Sequence, residues 1–293
     1  MRWVVIHNIR AGKRSRKRAS LAGVLEDCGI DAEVHETTSA EQCAEVIASA
    51  HSGGTEHYVA AGGDGTLHGV VNALMAHEWP EPPTVGILPL GSGSDFARSF
   101  ALPRRLDRAI AHLTGDGRYL CDIGLLEGSF GLRYFVNVAD VGVAGAAVSW
   151  SNRLPRKLGK LRYTVGFWLA LAVFSPRDVR AVTSRTTIEA SAVNVVIANG
   201  QFFGGGMHIA PQAVLMDGLL DVEVFTGRRW QALSVMPRVM RGTHLRHASV
   251  RVTRSARIEI GCREHWPIEA DGELIGHGPV VASVVPGAFY LKI

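Results

Sequence analysis

Apolar and polar positions alternate in two different ways along the chain, and the change comes near Tyr119. Before it, short apolar runs recur between stretches of helical spacing. Trp3–His7, Ala32–His35, His57–Ala61 and Thr84–Leu88 predict strands. Lys13–Cys28, Ser39–Ala50, Gly69–His77 and Leu106–Leu113 predict helices, with Ser39 placed to cap its own. Such a β-α-β-α order predicts a mostly parallel, doubly wound sheet. Beyond Tyr119 the pattern is dominated by β-branched runs separated by turn residues. Tyr119–Leu126, Tyr134–Ala139, Ala181–Ile188, Ala192–Ala198, Gly218–Phe225, Ala248–Val252, Arg257–Ile260 and Val280–Val285 predict strands. Two helical regions interrupt them, Arg156–Phe174 and Trp230–Arg241. The economical division is an α/β domain over residues 1–120 and a β-rich domain over 121–285.

Composition narrows the function classes. The chain has 293 residues, 47% hydrophobic and 20% charged, an ordinary profile for a soluble globular protein. Its formal net charge is +4, which suits phosphate-bearing partners without choosing among nucleotides, anionic membrane and nucleic acid. Cys28, Cys43, Cys121 and Cys262 form no CxxC pair and read as small buried hydrophobes of a reducing compartment. The Met1–Ile6 start reads as a strand, not a signal peptide, and no apolar run reaches the ~18 residues of a membrane span.

Four segments carry chemistry. Ala60-Ala61-Gly62-Gly63-Asp64-Gly65-Thr66-Leu67 follows a strand and precedes a helix, so its backbone N–H groups and the helix dipole can close around phosphate. Asp64 is placed to orient a metal ion or an attacking hydroxyl; a glycine-rich turn with a solvated aspartate is the plainer alternative. The segment is neither GxGxxG nor Walker A. Leu88-Pro89-Leu90-Gly91-Ser92-Gly93-Ser94-Asp95-Phe96-Ala97-Arg98 makes a second such loop. Two glycine loops at neighbouring strand ends would face one crevice, the usual ligand position in open α/β sheets.

The third segment runs from Ala198 to Pro211 with Gly204-Gly205-Gly206 at its centre, a pattern of tight packing or a hinge. It is followed by Asp217-Gly218-Leu219-Leu220-Asp221, where Asp217 and neighbouring carbonyls could hold a hard cation or simply form a solvated turn. The fourth is Ile268-Glu269-Ala270-Asp271-Gly272-Glu273, a glycine hairpin whose Glu273 could act as a general base if it reaches substrate.

Taken in order, these segments resemble the diacylglycerol kinase catalytic-domain family: the bacterial lipid kinase branch, related to sphingosine kinases and more distantly to NAD kinases and phosphofructokinases. The likeness runs from Asn8 to Glu273. It implies an N-terminal α/β domain, a C-terminal β-sandwich and an active site in the cleft between them, with residues 286–293 returning to the first domain. It implies ATP bound by Asn8, Thr37 or Thr38, Gly62 to Gly69 (including Thr66, Leu67 and His68), Gly91 and Ser92. It further implies Asp64 acting near the phosphates and Glu273 as proton acceptor. Mg²⁺ would be held by Asp217 with the carbonyls of Val214 and Leu219.

The substrate would be a membrane-derived lipid phosphorylated by a cytoplasmic enzyme, peripheral at the inner face of the membrane, in phospholipid metabolism. No nucleic-acid partner is expected, and a homodimer is left open. The chain departs from the family pattern at Ile9, His68 and Ser94. Two alternatives stay open: an NAD kinase-like small-molecule kinase, and a nucleotide-binding regulatory protein with a weakened catalytic site. The basic residues Arg153, Arg156, Lys157, Lys160 and Arg162 lead into the apolar Tyr163–Phe174, which reads either as an interfacial anchor on anionic lipid or as a core helix with a solvated start. The Lys13–Arg18 run is equally open between ATP phosphates, lipid headgroups and water.

Overall fold

The structure is a computed structural model that describes residues 2–10, 20–91, 93–158, 161–262 and 266–293. Ser92, Lys160, the side chain of Arg156 and the Lys13–Arg18 run, all singled out above, lie outside this description. The chain forms two compact units, Met1–Asp122 with Pro286–Ile293 and Ile123–Val285.

The first unit contains β1 (Trp3–Asn8), α1 (Leu21–Asp27), β2 (Ala32–Thr37), α2 (Ala40–Ser52), β3 (His57–Gly62), α3 (Asp64–Leu74), β4 (Thr84–Pro89), α4 (Asp95–Ser99) and α5 (Leu106–Ala111). All four strands are parallel, in the order β2-β1-β3-β4. Apolar runs such as Tyr58–Ala61 are buried throughout, as strands covered on both faces require. Trp3, Val5, Val59, Leu88, Ile110 and Leu113 form the core between sheet and helices. Ser39 caps α2 by accepting from Gln42 N, while the Gln42 side chain accepts from Thr38 N and its hydroxyl.

The predicted helix over Gly69–His77 begins earlier, at Asp64. Its first turn is made of residues that read as loop, because tertiary packing there outweighs the low helix propensity of glycine.

The second unit is antiparallel. After β5 (Arg118–Gly128) come β6 (Gly131–Phe135), β7 (Val138–Gly142), α6 (Val143–Arg153), α7 (Leu161–Val173), β8 (Arg177–Thr183) and β9 (Thr187–Ala198). Then follow β10 (Phe202–Phe203), β11 (Met207–His208), β12 (Leu220–Thr226), α8 (Ala232–Val239), β13 (Val250–Ser255), β14 (Arg257–Gly261), β15 (Pro267–Ala270), β16 (Glu273–His277) and β17 (Val280–Lys292). The long β9 organises the sheet: its first half pairs with β8, and its second lies between β7 and β12. Phe135, Val141, Ile197, Val222, Trp266 and Ile268 lie in its core.

Three sequence expectations change here. The predicted strand Ala181–Ile188 is two strands joined by a turn in which Thr183 Oγ1 accepts from Arg185 N and Thr186 N. The predicted strand Tyr134–Ala139 breaks between Phe135 and Val138. Helix α6 had no counterpart in the pattern.

The last strand belongs to both units. Val280–Ser283 pair antiparallel with β14, whereas Tyr290 and Leu291 pair parallel with Thr84 and Val85 of β4.

Candidate functional site

In the first unit the parallel register sets Thr37 beside Asn8 and Gly62 beside Pro89, and Asn8 follows the His7–Ala61 partnership. These residues therefore form one row at the carboxyl edge of the sheet. From β1 the chain passes to β2 on one side, then to β3 on the other. Ligands of open α/β sheets bind outside such a reversal.

Backbone meets backbone where the two glycine loops adjoin. Gly91 N donates to Gly62 O at 2.9 Å. A Cβ on Gly91 would lie 2.5 Å from the Cα of Gly63, and one on Gly62 would lie 2.1 Å from Thr66 Oγ1. Both contacts are shorter than any side chain tolerates. Gly65 differs: a Cβ there would meet nothing within 4 Å. Its backbone φ lies outside the left-handed region, so the fold does not explain this glycine.

Helix α3 starts from Gly63, which has no side chain with which to cap it. The positive end of its dipole lies at the row's centre, a position favourable to an anion.

Asp64 bridges the two loops. Its Oδ1 accepts from Asp95 N at 2.8 Å and Phe96 N at 3.2 Å, and its Oδ2 accepts from Asp95 N at 3.0 Å. The carboxylate thus caps α4 and fixes the second loop against the first. Leu67 and His68 are buried on α3, and Asn72 Nδ2 donates to His68 O at 2.9 Å. Thr37 is buried, the Thr38 hydroxyl donates to Gln42, and Asn8 Oδ1 accepts from Arg10 N at 3.0 Å.

In the second unit the fourth segment builds a polar constellation. Asp271 and Gly272 form the β15–β16 turn with φ of 49° and 89°. A non-glycine residue in that region is uncommon, and Asp is among those that tolerate it. Asp271 is held there by its bonds: its carboxylate accepts from Val136 N at 2.7 Å, Asn137 N at 2.8 Å and Val138 N at 3.2 Å. Those three donors are why the predicted strand breaks. Asn199 N and Gly200 N both donate to Asn137 O at 2.8 Å, and Asn199 Nδ2 donates to Val136 O at 2.8 Å. Two residues past Asp271, Glu273 is half-exposed and accepts from Arg133 Nη2 at 3.2 Å. Sequence reading gave no role to Arg133, Asn137 or Asp271.

The Gly204–Gly206 run is the turn of the small β10–β11 hairpin, with φ of 62°, 91° and 112°. Three successive residues in that region need glycine.

The Asp217 turn does not fit a divalent ion as it stands. Asp217 Oδ1 accepts from Leu219 N, and its Oδ2 meets Arg254 Nη2 at 2.5 Å. Arg254 Nε also bonds Asp221 at 3.2 Å. A guanidinium already supplies the positive charge, and a metal ion with the Val214 and Leu219 carbonyls would face it. Among the described residues no cluster of three or more His, Cys, Asp or Glu side chains could hold a metal ion. Burial pushes the Cys43 thiol up to about 12 and that of Cys262 to about 11, so neither is a nucleophile at neutral pH.

Residues 2–125 match the diacylglycerol kinase catalytic domain, and residues 137–293 match the YegS C-terminal NAD kinase beta sandwich-like domain. The chain belongs to the diacylglycerol kinase catalytic-domain family. It has the two-domain architecture of that family, an α/β domain followed by a β-sandwich-like one. It is 29% identical over 268 residues to a diacylglycerol kinase of Mycobacterium tuberculosis, covering 90% of this chain and 85% of the relative. A diacylglycerol kinase of Bacillus subtilis is 27% identical over 292 residues, covering 97% and 91%. The lipid kinase YegS of Escherichia coli is 28% identical over 214 residues, covering 70% and 68%. A Bacillus anthracis crystal structure, provisionally assigned as a diacylglycerol kinase, shares the fold at TM-score 0.81 and 20% identity, covering 99% and 94%.

Proposed function

We propose that the chain is an ATP-dependent lipid kinase that phosphorylates the hydroxyl of diacylglycerol or a related lipid. The observation that carries this reading is the glycine-capped N-terminus of α3 at the carboxyl edge of the sheet, with a Gly65 that the fold itself does not require. Asn8, Thr37 and the Gly62–Gly69 and Gly91–Ser92 segments bind the nucleotide, backbone amides receiving the phosphates. Asp64 holds the two loops together for that purpose. The lipid hydroxyl oxygen bonds to the γ-phosphorus as the bond to the β-phosphate oxygen breaks, ADP leaves, and Glu273 accepts the hydroxyl proton. Magnesium arrives with ATP as part of the substrate, where it offsets phosphate charge; the Asp217 turn does not hold it.

The relatives named diacylglycerol kinase and lipid kinase favour a lipid acceptor over a soluble one. A membrane surface is the source of such a substrate, and α7 supports contact with it. Leu161, Val165, Trp168, Leu169 and Val173 line its outer face, all exposed. No Asp or Glu occurs between Asp140 and Asp178 or between Glu223 and Glu259, whereas arginine is frequent in both stretches. An apolar helix face with cationic surroundings suits anionic headgroups. Among the described residues no helix is long and apolar enough to cross a membrane.

ATP turnover across a lipid panel, with NAD as a control acceptor, tests the reading. Lipid-dependent turnover is expected, and Glu273→Gln should lose about 10²–10⁴-fold in kcat while still binding ATP. Turnover with NAD alone would overturn the lipid assignment. Undiminished turnover in the variant would remove Glu273 from the chemistry.

A further inference from the structure

Strands β7 and β15 pair antiparallel with Asp140 directly opposite Glu269. The two carboxyl groups are 0% and 1% exposed. Each commits one oxygen to a firm donor. Asp140 Oδ1 accepts from Asn194 Nδ2 at 2.5 Å, and Glu269 Oε2 accepts from Gly272 N at 2.7 Å. The other two oxygens, Asp140 Oδ2 and Glu269 Oε1, are buried with no hydrogen-bond partner, and the strand register sets the two carboxyl groups opposite each other on one face of the sheet. Two neighbouring carboxylates inside the core repel strongly; a proton shared between them turns the repulsion into a hydrogen bond.

The groups that act on the pair come from every neighbouring element: the Tyr163 hydroxyl on α7, Asn194 on β9, Asp271 in the turn, and Glu223 on β12, itself paired with His244. Among the described residues none is a cation bonded to either carboxyl.

We propose that Asp140 and Glu269 share one proton and that this singly protonated pair is a positioning group for the Asp271–Gly272 turn, and so for Glu273. The second half rests on the reading of Glu273 as proton acceptor. The mechanical link is the Gly272 N–H, which ends on Glu269 one residue before Glu273. With the shared proton in place, Glu269 donates to Asp140 through one oxygen and anchors the turn through the other. Without it, two buried negative charges push the strands apart at the point where the turn is anchored.

Burial holds Glu269 well above the ordinary carboxyl range and raises Asp140 to about 6. Both folded values lie above the unfolded ones. The pair's stability is therefore complete in acid and is lost as pH rises through the folded values.

The experiment compares the full-length chain with Glu269→Gln and Glu269→Leu. The glutamine amide donates to Asp140 as the proton did, and its oxygen still accepts from Gly272. Leucine does neither. Infrared difference spectra of the wild type at neutral pH should show a protonated-carboxyl band that Glu269→Gln lacks. Melting temperature should fall from pH 6 to 9 in the wild type and change less in Glu269→Gln. The Gly272 amide should exchange slowly with deuterium in the wild type and Glu269→Gln, and faster in Glu269→Leu. In lipid turnover Glu269→Leu should lose about 10- to 100-fold in kcat with the KM for ATP unchanged, and Glu269→Gln should be near wild type.

Absence of the infrared band, or a pH-melting profile of Glu269→Gln that matches the wild type, overturns the shared proton. A Gly272 amide protected alike in all three proteins overturns the positioning role. These three readouts need no turnover, so a chain inactive on every lipid would defeat the kinase reading and leave this one to be judged by them. If Glu269→Leu fails to fold, the pH profile and the band of Glu269→Gln still decide.

Discussion

Asp64 offers the sharpest test of how the first unit works, because its carboxylate has two candidate duties. As a cap it bonds Asp95 N through both oxygens and Phe96 N through one, and both recipient residues are buried. Hydrogen bonds to a charged group contribute about 1.5–3 kcal/mol each, and a lost helix cap costs about 0.5–2 kcal/mol. Two donors lose their acceptor in Asp64→Ala. Water admitted at the half-buried carboxylate replaces part of the loss, so about 2–4 kcal/mol is expected. Asp64→Asn keeps the oxygen that serves both donors and turns an amide N–H₂ toward Asp95 N, where it repels; about 1–2 kcal/mol is expected. Urea unfolding of the two variants, read beside ATP binding by calorimetry, checks both numbers. In the expected outcome stability and affinity fall together, and Asp64→Asn sits between Ala and wild type on both axes. Suppose instead that Asp64→Ala unfolds within about 0.5 kcal/mol of the wild type, inside the range of ordinary surface substitutions, yet no longer binds ATP. The cap argument would then be wrong, and the carboxylate would belong to the nucleotide.

The other expectations concern glycine and the membrane. Gly65→Ala should leave thermal stability unchanged or raise it by up to about 1 kcal/mol, since a helix gains from alanine, while weakening ATP binding; unaltered affinity would remove Gly65 from the phosphate site. Gly91→Ala should destabilise instead, because its Cβ has no room beside Gly63, and a variant as stable as wild type would refute the close approach of the loops. Replacing both Leu161 and Trp168 by Glu should reduce sedimentation with phosphatidylglycerol-containing vesicles at least about tenfold, given about 1.5–3 kcal/mol per apolar side chain withdrawn from water. Equal sedimentation would take α7 off the membrane.

The parts of this protein that could be read from sequence were those written locally. The strands before the two glycine loops show as apolar runs, and the loops show as clusters. Ser39 announces its helix because a cap acts within three residues. What escaped was written across long separations. Nothing near Val136 reveals that its N–H, with those of Asn137 and Val138, ends on a carboxylate more than a hundred residues later. That one interaction breaks a predicted strand and builds the second unit's polar site. The bonds of Asp64 to Asp95 N and Phe96 N were equally hidden, since they go to another loop. The buried pair did leave a mark that periodicity alone ignores. Asp140 in Val138-Ala139-Asp140-Val141, Asn194 in Val193-Asn194-Val195 and Glu269 in Ile268-Glu269-Ala270 are polar residues inside apolar strands. A polar group in such a place needs a partner there.

The divided allegiance of β17 sets a schedule for the ribosome. Phe289 and Leu291, which complete the first unit beside β4, are translated only after the whole of residues 123–285. Until they emerge, β4 is an edge strand with its outer hydrogen bonds unmade, the kind of surface that invites pairing with other chains. The first unit, although most of it precedes the second in the chain, is thus the later of the two to complete its assembly.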